Sequence, residues 1–505
     1  MAVYIDFSTE HPRSICRTLR NHRSSRISLM TIYSSLTKER LFGLLLIAAA
    51  IVANEWILTK IISPDGAIED VSVKAGIWAF NFSCAVGGSV LFLYGRAASD
   101  IVYRQAHWIL LVLSVALLSL WLVALIQVYV GWGLFRFLGN DFGIYLAQAN
   151  VLRSGDPRGI YSIEALQPHY QQLYDSYFSA GFDTAKATQV PYPPLFAWLF
   201  TVFTLMEPHV GFVVWTSLSA VAAFYLAWSA ARFFPMPERG FMALLFLASY
   251  PVLCSLITGQ PTLFLACAMG GCYLALRAGK DFHAGLYLSL LLFKPQYGVL
   301  LGPLLIWKRR WGAMAGVGLG AIIIIGGSLL VAGLPTFLAY PGAFTEMAKF
   351  RGDVPTLMIN WRSLILWLSP QISDESGMLL ELSLSGLTLL ITAFAWRGPW
   401  APQEQRFPIL MTLTIAATLL ANHHSLPYGA VLLAVPLASA LAEADLSRFT
   451  RLVFIAACLL PALSFTLLFS LDLQAASRLL MLSLALSVAS LLFDLNSARS
   501  VRAPG

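Results

Sequence analysis

Charge is what this chain has least of. Asp, Glu, Lys and Arg make up 12% of its 505 residues against 58% apolar, a balance that excludes an ordinary soluble protein. Nucleotide-handling signatures are missing too. There is no Gly-rich phosphate cradle, P-loop or HExxH sequence, which argues against nucleotide-sugar or ATP-driven chemistry and calls for no cofactor. Cysteine pairing is absent as well: Cys16 lies in a basic N-terminal arm, while Cys84, Cys254, Cys267, Cys272 and Cys458 fall inside apolar runs, so neither a disulfide framework nor zinc spacing is present. The arm, 1–40, carries Arg13, Arg17, Arg20, Arg23, Arg26, Lys38 and Arg40 without the apolar core or cleavage site of a secretory signal. The net charge of +7 sits in short basic runs between apolar segments rather than on one face. It therefore reads as a topology signal, and no nucleic-acid partner is expected.

What is there is apolar length. Runs at 41–62, 76–94, 108–133, 192–206, 211–231, 241–257, 262–278, 283–306, 312–333, 376–396, 407–421, 426–442, 452–471 and 479–495 predict an all-α polytopic membrane protein of about 14 transmembrane helices. The expected organisation is a cytoplasmic arm (1–40), two additional N-terminal helices (41–107) and a module over 108–333 containing a long external loop, 134–191. A second external loop with a candidate re-entrant segment follows (334–375), then C-terminal helices (376–495) and a cytoplasmic tail (496–505). The basic arm and the stop at Lys308, Arg309 and Arg310 anchor this orientation. At 241–278 two runs share a short stretch and meet at Gly259, Gln260 and Pro261, so short or re-entrant helices compete there with two full crossings. The first loop reads as a helix near Asp141, with Phe142, Tyr145, Leu146, Ala149 and Leu152 at helical spacing on the membrane surface, turned at Gly155, Asp156 and Pro157.

Few residues can carry chemistry. Asp141, beside Asn140, stands where the third run leaves the bilayer, and its carboxylate can take a proton from a hydroxyl nucleophile; taken alone, an interfacial Asp is ordinarily a solvated or capping residue. Lys294 lies near the middle of an apolar run, where an ammonium costs at least about 2.5–3.5 kcal/mol. It reads as a cavity-facing cation for the phosphate of a lipid-linked sugar, or as half of a structural pair. Pro295 next to it kinks the run. His423 and His424, at a short external turn, can donate hydrogen bonds to a sugar or phosphate, or simply be exposed; their adjacent spacing does not favour a metal. Asn360 and Arg362 end the second loop, where Arg362 either clamps phosphate or snorkels to the interface. Tyr145 and Tyr192 offer a sugar an apolar wall with hydroxyls.

The ordered motifs resemble a known family. Asp141 and Phe142 are followed by Tyr145, Ala149, Leu152 and Gly155. The loop closes at Tyr192, Pro193, Pro194 and Leu195, and Gly259, Gln260, Pro261, Ala284, Gly285, Lys294, Pro295 and Lys308 come after it. This series, over about 134–315, resembles glycosyltransferase family 87, the polyprenyl-phosphate-mannose-dependent alpha-1,2-mannosyltransferases of bacteria. The resemblance implies a GT-C architecture with Asp141 as the catalytic residue in the first large external loop. Two spans precede the one leading to that loop, where a single span is usual. It further implies a polyprenyl-phosphate sugar donor, mannose or another pentose or hexose, and a hydroxylated lipid or glycan acceptor. The site would face the external side of a bacterial inner membrane, with inversion at the sugar. A multi-span transporter or lipid-linked sugar flippase is the competing expectation.

Overall fold

Proline and glycine decide where the apolar runs become helices. The computed structural model describes residues 139–177, 190–348, 354–463 and 473–500, together with Leu44 and Ile47. The chain forms two compact units. One, 1–60 with 77–102, lies outside the described residues apart from Leu44 and Ile47; the other, 61–76 with 103–505, carries everything that follows. The expected spans at 41–62, 76–94 and 108–133 fall outside the described residues.

Every regular element described is helical. In order they are α1 (Asn140–Arg153), α2 (Ile163–Tyr177), α3 (Pro194–Phe200), α4 (Pro208–Ala231), α5 (Met236–Leu247), α6 (Tyr250–Thr258), α7 (Thr262–Arg277) and α8 (Asp281–Ser289). They continue with α9 (Leu301–Trp307), α10 (Trp311–Ala348), α11 (Trp361–Leu368), α12 (Asp374–Ala395), α13 (Arg406–Ala421), α14 (Ala434–Glu443), α15 (Arg448–Leu463) and α16 (Leu473–Ser500). Among the described residues four helices are long and apolar enough to cross a membrane: Pro208–Ala231, Trp311–Thr345, Asp374–Ala395 and Ala476–Leu495. A fifth span results if α5 and α6, bent by 48° at their junction, count as one. The bend falls just before Pro251, whose ring forbids a continuous helix through that point.

These long helices are apolar outside and polar inside. On α12 the exposed positions include Leu379, Leu382, Leu387 and Leu390, whereas the buried stripe is Glu381, Ser385, Thr388 and Thr392. Leu330 on α10 is 89% exposed, as suits a surface that faces lipid rather than water.

Two expected crossings fold back instead. α8 runs parallel to α10: a Cβ on Gly285 would lie 1.9 Å from the Ala313 carbonyl, and one on Gly320 would lie 1.9 Å from Ser289 Oγ, so the two backbones touch through small residues. Arg310 also pairs with Asp281. The chain between them therefore returns to the end from which it set out, breaking at Lys294 and Pro295 between two 3-10 turns. This is more than the kink expected of Pro295. The run at 192–206 likewise forms only α3 and a 3-10 turn, Thr201–Leu205, before α4 begins, with Phe200 and Phe203 packed on Trp215 of α4.

Basic side chains collect at one end of the helices. Arg277 pairs with Glu443 at 2.7 Å, Lys308 donates to the carbonyls of Trp396 (2.6 Å) and Gly398 (2.8 Å), and Arg406 donates to the Ala395 carbonyl. Lys308 thus neutralises the exposed carbonyl end of α12. The opposite end gathers the start of α1, the turn between α6 and α7, the break at Lys294 and the turn after α13.

At that opposite end α1 is buried, not laid on a membrane surface as its spacing suggested. Phe142, Ile144, Tyr145, Leu146, Ala147 and Ala149 all lose contact with solvent. Phe142 packs against the rings of Phe200, Phe203 and Phe212 at 5.6–5.9 Å, so the covering comes from α3 and α4. Gly155, Asp156 and Pro157 turn the chain as expected, with Asp156 accepting from the Gly159 amide at 3.2 Å.

Gly259 holds α1 in place. It sits at φ 78°, and an added Cβ would lie 2.7 Å from Phe142 Cβ. Gly259→Ala combines left-handed strain with overpacking and is expected to cost on the order of 2–4 kcal/mol. Thermal unfolding in detergent, followed by labelling of the buried thiols of Cys254 and Cys272, should show a lowered transition temperature.

Candidate active site

The site begins where two chain ends are tied together. The Gly139 amide donates to the Ile257 carbonyl at 2.7 Å, which seats the first turn of α1 on the last turn of α6. The Trp215 indole donates to the Gly259 carbonyl at 2.7 Å and fixes the turn that follows. Asp141 thereby faces Thr258 and Gln260, and its carboxylate accepts a hydrogen bond from the Gln260 side chain, while the Thr258 hydroxyl beside it donates to the Cys254 carbonyl at 2.7 Å. Its place in the first turn of α1 adds the favourable end of the helix dipole.

Gln260, 3% exposed, joins this carboxylate to a cation. Lys294 donates to Gln260 Oε1 at 2.5 Å, which leaves the Gln260 amide NH2 for Asp141. The ammonium is 7% exposed and lies among three tyrosine rings, 4.5 Å from the centroid of Tyr428, 5.4 Å from Tyr192 and 5.8 Å from Tyr297. Ring faces attract a cation and replace part of its lost hydration. Lys294 adopts φ −132° and ψ 74°, outside the helical region that the following proline disfavours, so the helix break itself aims the side chain inward. Tyr145 and Tyr192 complete the wall: their hydroxyls are 3.2 Å apart, and Tyr192 donates to Gln260 Oε1 at 3.4 Å.

Burial raises the Asp141 carboxyl above its ordinary value. The Gln260 hydrogen bond, the Lys294 charge and the Thr258 hydroxyl each pull it back. Burial outweighs these partners, so the carboxyl stays above its ordinary value.

A second group adjoins the first. Arg362 Nη1 is 3.0 Å from His423 Nε2, and His423 Nδ1 is 2.8 Å from Glu381. His424 lies within electrostatic range of Lys294, His423 and Arg362, which links the two groups into one site. Burial pushes the His424 imidazole down to about 3, and its three neighbours act in the same direction. His424 is thus neutral near pH 7 and has one N–H to donate.

The expected residues divide accordingly. Asp141, Tyr145, Tyr192, Gln260 and Lys294 converge, with Arg362, His423 and His424 alongside. Asn360 spends its side-chain hydrogen bonds within the protein. It is 1% exposed; its Oδ1 caps α11 by accepting from the Ser363 amide at 3.0 Å, and its Nδ2 donates to the Asn422 and His423 carbonyls at 2.8 and 2.9 Å. That makes it a staple between two loops. Asn140 accepts from the Tyr170 hydroxyl and anchors α2 to α1. Tyr297, Tyr428, Thr258 and Glu381 were not anticipated. Glu381 carried the same signal as Lys294, a lone charge in an apolar run, and Tyr297 lies one helical turn beyond Lys294. Among the described residues no three His, Cys, Asp or Glu side chains converge as metal ligands.

A carboxylate and an ammonium thus share one amide at one end of helices that present apolar faces outward, the setting of a membrane-embedded site. The model of glycosyltransferase family 87, a family of enzymes of class EC 2.4, matches residues 191–422 of the chain. The matched segment contains Tyr192, Gln260, Lys294, Asn360, Arg362 and Glu381; Asp141, Asn140, Tyr145, His423 and His424 lie outside it. No curated protein and no solved structure matches the chain.

Proposed function

We propose that the protein transfers a monosaccharide from a polyprenyl-phosphate donor to a hydroxyl acceptor with inversion. The observation that carries this reading is Gln260, which bonds the Asp141 carboxylate with one end of its amide and the Lys294 ammonium with the other. One residue thus keeps a base and an anion-binding cation together without letting them neutralise each other by direct contact.

The chemistry follows from these charges. The acceptor oxygen attacks the anomeric carbon as its proton passes to Asp141. The bond from that carbon to the phosphate oxygen breaks on the opposite face, and the electron pair leaves with the polyprenyl phosphate. Lys294, with Arg362 and the His424 N–H beside it, holds the departing charge in a site of low dielectric, where such interactions are strongest. Tyr145 and Tyr192 supply the apolar wall and hydroxyls for the sugar, with mannose first among the candidates.

The architecture fits a GT-C-type enzyme whose many apolar runs, expected at about 14, embed it in a bacterial inner membrane. With the run at 192–206 folding back, Gln260 comes to the same end as Asp141. The basic end around Arg277, Lys308 and Arg406 supports a cytoplasmic position for that end under the positive-inside rule, and hence an external site. The family match is to transferases, so the transporter reading is not carried forward.

The test is a donor panel in detergent. Purified protein should transfer sugar from polyprenyl-phosphate mannose or a related polyprenyl-phosphate sugar and none from nucleotide sugars. Turnover confined to nucleotide sugars would sink the reading.

A further inference from the structure

Glu381 is a carboxylate placed where a membrane-spanning helix tolerates one badly. It lies on α12 among leucines that face outward, yet it is 5% exposed and its carboxylate points inward. An ionisable group on such a span demands a partner, and His423 is the partner, with Nδ1 at 2.8 Å.

The hydrogen-bond inventory fixes the state of that imidazole. Arg362 Nη1 lies 3.0 Å from His423 Nε2, and a guanidinium has donors only. Nε2 must therefore be the acceptor. The single proton of the neutral ring sits on Nδ1, where it donates to Glu381. Reversing the tautomer would set two donors against each other at Arg362 and two acceptors against each other at Glu381. Arg362 and His423 each keep further interactions, and the tautomer argument needs neither to be vacant.

The same helix orients Arg362 a second way. The Trp361 indole donates to Thr388 Oγ1 at 2.9 Å, two turns from Glu381 on the same buried face of α12, and Asn360 staples the start of α11 to the carbonyls of Asn422 and His423. α12 thus holds the helix that carries Arg362 and also holds the histidine that Arg362 bonds. The imidazole also keeps the Glu381 charge one ring width from any anion at Arg362.

We infer that Glu381 is a positioning residue: by fixing the His423 tautomer it orients Arg362 toward the phosphate of the donor. This rests on the reading of Arg362 as a phosphate contact, and it adds a residue that touches neither substrate. An acceptor atom is what the position requires, not a negative charge.

Binding of farnesyl phosphate to the purified full-length protein tests this without needing turnover. Glu381→Met, which removes the acceptor at similar size, should weaken binding about tenfold or more, whereas Glu381→Gln should stay within about threefold. His423→Gln offers Arg362 an amide oxygen that does not depend on Glu381. In that background Glu381→Met should cost less than about a further twofold, since residues acting through one another are not additive. Wild-type affinity in Glu381→Met, or multiplying effects in the double variant, overturns the inference while leaving the donor assignment intact. Absence of saturable binding by the wild type overturns both. A measurement that needs no folded Glu381 variant is the nitrogen-15 spectrum of histidine-labelled wild type, with His423 identified by its loss in His423→Gln. It should report a proton on Nδ1, and a proton on Nε2 alone would refute the proposal.

Discussion

Asp141→Asn lowers kcat by about 10²–10⁴-fold and leaves the donor KM within a few-fold, the pattern of a lost general base rather than a lost binding contact. Asparagine is nearly isosteric and its Oδ1 still accepts from Gln260, so the first turn of α1 keeps its seat. What disappears is the ability to take the acceptor's proton. Azide separates this from a structural defect. It is an anion that attacks the anomeric carbon without being deprotonated, so it should restore turnover in Asp141→Asn and yield a glycosyl azide of inverted configuration. A variant that stays inactive with azide despite a monodisperse profile would remove Asp141 from the base role. The pH profile gives a second check. As the proposed base Asp141 acts in its ionised form, and burial raises its pKa above the ordinary value of about 3.9 for aspartate. Activity of the wild type is therefore lost as pH falls through that raised value, and the residual rate of Asp141→Asn should lack this acid limb.

The sequence carried the rare signals well and the spatial ones poorly. Lys294 was legible because a charge in an apolar run is costly enough to demand a reason, and α1 was legible because Phe142, Tyr145 and Ala149 recur at helical spacing. The burial of α1 was not, since the rings that cover it come from α3 and α4, more than fifty residues away. Hydropathy failed at 283–306 and 192–206 for a related cause: it measures the length of an apolar stretch and not its direction. A run that breaks at Lys294 and returns to Asp281 has the same composition as one that crosses. Gln260 illustrates the consequence. In the sequence its turn stood open between re-entrant helices and two full crossings, whereas the run at 192–206, which folds back ahead of it in the chain, brings it to the end that holds Asp141. Asn360 looked like a ligand because it stands beside Arg362, yet its bonds to the backbone at 422 and 423 depend on a pairing sixty residues away. Glu381 was passed over although the spacing of Glu381, Ser385, Thr388 and Thr392 marks one polar face on α12, a pattern that becomes visible only when the helix is read as buried on that side.

Lys294→Met is the substitution that separates the two halves of the site. Removing the ammonium takes away the cation proposed to meet the departing phosphate, and kcat/KM for a polyprenyl-phosphate sugar should fall about 10²–10³-fold, the size of a lost charge-stabilising donor in a low-dielectric site. The fold should survive, because methionine fills much the same space among Tyr192, Tyr297 and Tyr428, and Asp141 can take up a proton when its counter-charge is gone. That last step has a measurable sign. The Lys294 charge pulls the Asp141 carboxyl down, so its loss moves the carboxyl further up. At neutral pH a smaller fraction of Asp141 is then ionised, and the acid limb of the pH profile should shift to higher pH in Lys294→Met, with part of the lost activity returning as the pH is raised. A lysine that served only the phosphate, with no coupling to Asp141 through Gln260, would lower the rate and leave that limb where it was. Lys294→Arg should recover little of either effect, since a planar guanidinium cannot bond Gln260 Oε1 while standing in the place of a compact ammonium among three rings.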